Sequence, residues 1–261
     1  MANFELLTRG NPKTVKGERR GYLTFILHLA PHTLSGHNVC PKATKGCIAS
    51  CLNLAGRGGI FAAGQATNAI QRARLRRTEL FFSDRAAFMA ALVRDVERAI
   101  SYAKRRGLRP VFRLNGTSDI RWERVPVVRD AIRSGAPKAV IYPSIMDAFP
   151  RVQFYDYTKI ANRRDLPSNY ALTFSLAENN DSAAIGALLN GMNVAVVFRS
   201  PETVARVMAE GSYTFGGRIG LTRPVFNGDE SDLRFRDPKG HIIALYAKGP
   251  ARRDASGFVR D

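Results

Sequence analysis

The chain has 261 residues, 45% hydrophobic and 24% charged, which excludes a disordered or collagen-like polypeptide and allows a large core. Its 40 Lys and Arg against 22 Asp and Glu give a formal charge of +18 and an isoelectric point near 10.5, so phosphate backbones are natural partners, with a merely solvated basic surface as the plainer alternative. Residues Met1 to Arg9 lack the charged-then-apolar pattern of a signal peptide and the longest apolar run, Tyr22 to Ala30, is too short to span a bilayer. The sequence therefore predicts a cytoplasmic protein without a membrane partner, its thiols kept reduced.

Residues 1–20 are basic and rich in turn formers (Arg9-Gly10-Asn11-Pro12, then Gly17 to Gly21) and are expected to form an exposed arm. Residues 22–30 carry the aromatic and β-branched members of a first strand. Its end leads straight to His37 and the chain's three cysteines, Cys40, Cys47 and Cys51, spaced Cys-x6-Cys-x3-Cys. If a helix starts at Cys47, then Cys47 and Cys51 stand one turn apart, roughly 5–6 Å between Cβ atoms, and the loop with Pro41 and Gly46 folds Cys40 back toward them. Gathered thiolates call for a soft cation. A [4Fe-4S] cluster held by three cysteines would leave one iron open for a small molecule. Zinc completed by His37 is the alternative, although the six-residue interval suits zinc hooks poorly; three buried structural cysteines is the bland one. Gly56-Arg57-Gly58-Gly59 reads as a flexible turn.

A basic helix is predicted over 65–82, with Arg72, Arg74, Arg76 and Arg77 available to lie along a phosphate backbone. The clearest helix spans 84–106, capped by Ser83, with Phe88, Leu92, Val96, Ala99, Ile100 and Ala103 in one stripe. Lys104, Arg105 and Arg106 close it before Gly107, where they complement the helix dipole. Strands follow at 108–114, 138–142, 152–158, 170–176 and 193–199, with helices at 126–134, 181–190 and from Ser200-Pro201-Glu202 to near Gly211. Asp237-Pro238-Lys239-Gly240 predicts a type I turn joining 232–236 and 241–248 in an antiparallel hairpin. The tail, 250–261, is expected to fray. The alternation of strands and helices predicts a single α/β domain, a (β/α) barrel-like fold or partial barrel with parallel strands, outer helices and a C-terminal β-hairpin.

Ligands of such folds sit beyond the C-terminal ends of the strands, and those ends are polar here. Asp119, Asp156, Lys159 and Glu178 are the candidates for hydrogen bonding or proton transfer, while Asn115, Ser200 and Asn227 read as turn or cap residues. The acidic run Asn227 to Asp232 does not match a calcium loop. His28 reads as a half-buried strand residue. Trp122, beside Arg121, is read as core packing, with base stacking the alternative.

The series Asn38-Val39-Cys40-Pro41-Lys42-Ala43 with Gly46-Cys47 and Cys51, Arg113 to Asp119, Tyr155 to Lys159, and Asp232-Leu233-Arg234-Phe235 with Asp237-Pro238-Lys239-Gly240 resembles the phage-encoded family called gene product eighty-eight. The likeness covers about residues 9–249 and implies a phage or prophage origin and expression inside a bacterium; it supplies no catalytic roles. Strand, cysteine loop and helix in that order more loosely resemble radical S-adenosylmethionine (SAM) enzymes, though the spacing departs from their Cys-x3-Cys-x2-Cys and no Gly-Gly-Glu segment follows. The expected function is a phage iron–sulfur protein with a basic face for nucleic acid. The alternatives are a radical-SAM-like enzyme using the open iron, or a zinc-stabilised nucleic-acid-binding module.

Overall fold

A computed structural model describes residues 5–9, 12–62, 65–130, 138–215 and 220–261. The chain is a mixed α/β protein with a mostly parallel ten-stranded sheet, and its contacts divide it into two compact units. The mostly parallel strand path bears out the α/β class that the sequence predicts.

The first unit takes in Met1–Val39, Ala73–Asp156 and Arg164–Ala171. Strand β2 (Tyr22–Leu27) lies parallel to β3 (Arg109–Arg113), which pairs in parallel with β6 (Gln153–Thr158) through Val111 and Phe112. Every residue of β2 is buried, as expected of a strand covered on both faces. Phe25, Phe112 and Phe154 stack across the three strands with ring centroids 5.5 and 5.3 Å apart. Helix α4 (Arg85–Arg105) buries Phe88, Leu92, Val96, Ala99 and Ala103, each large apolar side chain contributing about 1.5–3 kcal/mol. The expected stripe is thus observed. Its cap is Asp84, whose side chain accepts from the Ala87 N–H, rather than Ser83, because helix α3 (Ala69–Ser83) runs on to that residue.

The N-terminal stretch is not a free arm where it is described. Leu7–Thr8 forms β1, antiparallel to β2, with Leu6 and Leu7 buried, and Pro12–Glu18 forms helix α1. The strand is pinned from α4: buried Asp95 accepts from the backbone N–H groups of Leu6 and Leu7 at 2.8 and 3.0 Å. The helix expected over 126–134 is replaced at its start by β4 (Val127–Arg129), paired antiparallel with β5 (Val140–Tyr142). The run Val127-Val128 suits a strand better than a helix, and residues 131–137 lie outside the described residues.

The second unit takes in Cys40–Arg72, Tyr157–Arg163 and Leu172–Asp261. Strand β7 (Tyr170–Ser175) pairs in parallel with β8 (Asn193–Phe198), β8 with β11 (Ile242–Tyr246), and β11 with β10 (Leu221–Asn227). An antiparallel β9 (Ser212–Phe215) closes the edge. Phe174, Val194, Val196, Phe198, Ile242 and Ala244 form the core with Ala184 and Leu188 of the helix Asp181–Leu189 and Val204 and Val207 of the helix Pro201–Glu210. Ser200 caps the latter as expected, and Gly211 ends it in a left-handed conformation at φ 74°.

The expected C-terminal hairpin does not form. Ile242–Tyr246 is too apolar for a solvent-facing hairpin arm and lies instead between β8 and β10, parallel to both. Its supposed partner is a 3-10 turn over Arg234–Arg236, closed by a buried ion pair of Arg234 with Asp237 at 3.2 Å. Nor does the tail fray: Val259–Arg260 forms β12 on β8, and Arg199 holds Asp261 at 2.7 Å. No helix among the described residues is long and apolar enough to cross a membrane.

Candidate functional site

All three cysteines lie in the second unit, and no disulfide joins them. The helix that carries them, α2, spans only Lys45–Ala49. Thr44 caps it, and Ser50 ends it. Cys47 is therefore helical, whereas Cys51 stands beyond the helix in extended backbone and accepts the Asn53 N–H on its sulfur at 3.5 Å. The helix expected to carry both thiols thus holds Cys47 and stops short of Cys51. Cys47 packs beside the buried cluster of Ala177, Ala247, Ala251, Phe258 and Val259. His37, the fourth ligand in the zinc alternative, belongs to the first unit and stacks its ring on Phe82 with centroids 4.1 Å apart. Among the described residues no three His, Cys, Asp or Glu side chains gather as they would to hold a metal ion. As they stand, these donors fit neither a cluster nor zinc.

What holds the cysteine helix is Glu178. Its carboxylate accepts the Thr44 hydroxyl at 2.6 Å and the Gly46 N–H at 2.7 Å, across the first turn of α2. Burial pushes the Glu178 pKa up, but the bonds from Thr44 and Gly46 outweigh it and the net shift is downward. The carboxylate thus caps the positive end of the helix in its ionised form. Gly46 makes this approach possible, since a Cβ there would lie 2.1 Å from the Ser256 hydroxyl oxygen and 2.9 Å from a Glu178 oxygen. Lys159, in the same unit, donates to the Ser175 hydroxyl at 3.0 Å and lies 5.4 Å from the centre of the Phe258 ring. Gly56–Gly59 forms a 3-10 turn whose Gly58 carbonyl accepts from Asn68 and Gln71. Asn227 accepts from the Asp229 N–H as a turn residue, and Asp229 pairs with Lys248 at 2.8 Å.

Asp119 and Asp156 belong to the first unit, Lys159 and Glu178 to the second. Asp156 is fully buried and accepts from the Leu114 and Asn115 N–H groups and the Tyr170 hydroxyl. Asn115 is the hub of the loop after β3: its side-chain oxygen accepts from Ser118, the Ile120 N–H and Trp122, whose ring is buried against Phe81 and Phe88. Asp119 donates its N–H to the Val39 carbonyl at 2.8 Å. These residues fix the strand ends.

A family model described as Gene product 88 matches residues 5–261. The chain belongs to that family. No curated protein and no solved structure matches it. Within this gene product 88 chain, the segment Arg113 to Asp119 and the cysteine helix are thus both built into the scaffold by dense backbone and side-chain bonding.

Among the described residues of this family member, positive charge gathers at two places. On α3, Arg72 and Arg76 are exposed while Arg74 is buried and Arg77 half-buried. At 100° per residue those pairs fall on different faces, so the four do not form one phosphate-facing row. At the carboxyl end of β2 and β3, Arg74, Arg77 and Arg113 all act on the ring of His28; burial first, and then these three cations, pull its pKa down to about 3.

The second gathering, at the opposite end of β2 and β3, was not legible as a unit in the sequence. Arg9 donates to the Tyr102 hydroxyl at 2.7 Å and sits 4.4 Å over its ring, with Arg105 and Arg106 each 6.0 Å from the same ring. Arg109 lies 4.2 Å over Tyr22 and gives its backbone N–H to Gly21, next to exposed Arg19 and Arg20. Glu18 pairs with Arg106 at 3.1 Å. These residues come from three separated stretches, and the pairing of Tyr22 with Arg109 helps to join them.

Proposed function

We propose that this phage-encoded protein contacts nucleic acid through the basic face of its first unit. The observation that carries the reading is the convergence of Arg9, Arg105 and Arg106 on Tyr102, with Arg109 on Tyr22 beside it. Guanidinium groups resting on aromatic rings are partly ordered before a ligand arrives, and their remaining N–H donors match phosphate oxygens. With a chain charge of +18, the same face gains from counterion release along a phosphate backbone. Such a surface holds the backbone and does not read bases, so binding is sequence-tolerant.

The test is fluorescence anisotropy with single-stranded and duplex oligonucleotides over a series of salt concentrations. The variant Arg105→Glu/Arg106→Glu/Arg109→Glu should lose at least about tenfold in affinity, and the slope of log K against log salt should fall by about 0.9 for each phosphate contact removed. Arg72→Glu/Arg76→Glu, on the exposed side of α3, should do much less. Undetectable binding at low salt, or a larger loss from the α3 pair, would overturn this assignment.

A further inference from the structure

Just after the last cysteine, the second unit reverses the usual placement of polar and apolar side chains. In the 3-10 turn Leu52–Leu54 the polar Asn53 is buried at 3% exposure, while the leucines on either side of it stand 51% and 40% exposed. The next turn, Gly56–Gly59, leads directly into Ile60 and Phe61, 68% and 39% exposed. Single exposed apolar residues are ordinary on any protein, but a buried amide amid a run of exposed large apolar side chains is not explained by folding alone and marks a docking surface.

Direct contacts fasten these turns into one piece. Leu54 and Ala55 donate their N–H groups to the Cys51 and Leu52 carbonyls at 3.1 and 3.0 Å, and Gly59 packs so closely on the Leu54 carbonyl that a Cβ there would collide with it. Ile60 therefore follows the point where the chain folds back on Leu54. Asn68 donates to the carbonyls of both Gly58 and Ile60 at 2.9 Å, and Gln71 to that of Gly58 at 3.1 Å, so here too the polar side chains serve the backbone. Gly249 lies against Ala55, where a Cβ would come to 3.0 Å of the Ala55 Cβ. The turn Gly249–Arg253 thereby brings exposed Arg252 and Arg253 beside the same segment.

From Cys40 to Arg72 the chain carries Lys42, Lys45, Arg57 and Arg72 and no Asp or Glu. Glu178 and Asp254, which reach this segment from elsewhere in the unit, accept from Thr44 and Gly46 and from Ser50, Ser256 and Val259. We propose that Leu52, Leu54, Ile60 and Phe61, with Lys45, Arg57, Arg252 and Arg253 around them, seat this unit on an anionic lipid surface. Cations interleaved with aliphatic side chains match a boundary where anionic headgroups lie over acyl chains, and attachment there needs no spanning helix. The other occupants fit less well. A second copy of a chain with charge +18 would bring like charges together, nucleic acid stacks on aromatic rings and Phe61 is the single one of the four, and protein hot spots favour Trp, Tyr and Arg over leucine.

The lipid surface belongs to the second unit and does not rest on the nucleic-acid reading of the first. The experiment is sedimentation of the full chain with vesicles of phosphatidylcholine alone or with about 30% phosphatidylglycerol. Binding to the anionic vesicles and not to the neutral ones is expected, and Ile60→Ser/Phe61→Ser should weaken it at least about tenfold although the charge is unchanged. In Phe61→Trp the fluorescence of the added indole should shift to the blue with anionic vesicles, against the constant background of Trp122, which is fully buried. Oligonucleotide affinity of Ile60→Ser/Phe61→Ser should stay at the native value; a fall would make nucleic acid the occupant and overturn the proposal. Equal vesicle binding by the native chain and Ile60→Ser/Phe61→Ser overturns it, because charge alone would then hold the protein. Absence of vesicle binding overturns it too, and sedimentation velocity then separates the remaining occupants: a dimer lost in Ile60→Ser/Phe61→Ser is a second copy, and a monomer leaves an acidic protein.

Discussion

Glu178 closes on Gly46, carboxylate oxygen to backbone N–H at 2.7 Å, while its other oxygen takes the Thr44 hydroxyl. A residue just past the end of β7 thereby fixes the start of the cysteine helix 132 positions earlier. Removing that carboxylate with Glu178→Ala should cost about 1–2 kcal/mol, the usual worth of a helix cap, as a lower denaturant midpoint with an unchanged m-value. Glu178→Gln, which keeps an acceptor but loses the charge, should recover part of this. Alkylation of Cys47 by a maleimide should quicken in the Ala variant; an unchanged rate would show that the cap does not hold this helix in place.

His28 makes stability depend on pH in a definite direction. Its folded pKa, about 3, lies below the ordinary 6.5, so the unfolded chain binds the proton more readily. The contribution is complete above pH 6.5 and is lost as pH falls toward 3, at up to about 1.4 kcal/mol per pH unit. Between pH 4 and 6 the unfolding free energy of His28→Gln should fall less steeply than that of the native protein, by about one proton's slope. Parallel curves would exclude the shift.

Asp156 answers three donors from a site with no solvent. Asp156→Ala leaves two N–H groups and a phenol unmatched, so a loss of about 3 kcal/mol or more is expected, with Tyr170→Phe nearer 1 kcal/mol. Thermal unfolding of both variants and the double mutant checks this, and the two losses should not add, because the residues share a bond.

Gly116→Ala should destabilise by about 1–3 kcal/mol, since the new methyl meets a backbone carbonyl as well as two side chains at 2.7 Å. Pairing it with His28→Ala should relieve the ring contact but not the carbonyl contact. Full rescue would show that the Leu27 carbonyl can move aside.

Much of the fold was legible because it is periodic. The stripe from Phe88 to Ala103 demanded one long amphipathic helix, and the aromatic and β-branched residues at β2, β6, β7 and β8 marked strands. Ser200-Pro201 announced a helix start by cap chemistry that needs no distant partner. The hairpin expected after Asp232 failed because a turn signal is local, whereas the place of Ile242–Tyr246 was decided by the neighbours able to bury it, β8 and β10. The cysteine helix failed in the same way: spacing allowed Cys51 a place one turn above Cys47, but the backbone leaves the helix at Ser50.

The sequence by itself determined the charge, the α/β class, the family and most elements, since these follow from composition and from interactions within a few residues. Tertiary structure alone decided that Glu178 is a cap, that Arg74 and Arg76 face different ways, and that Arg9, Tyr102 and Arg109 share a surface with residues far from them in the chain. Charge and hydrogen bonding act through space over a few ångströms, and strand register, set by burial of whole faces rather than by any single residue, determines which groups come that close.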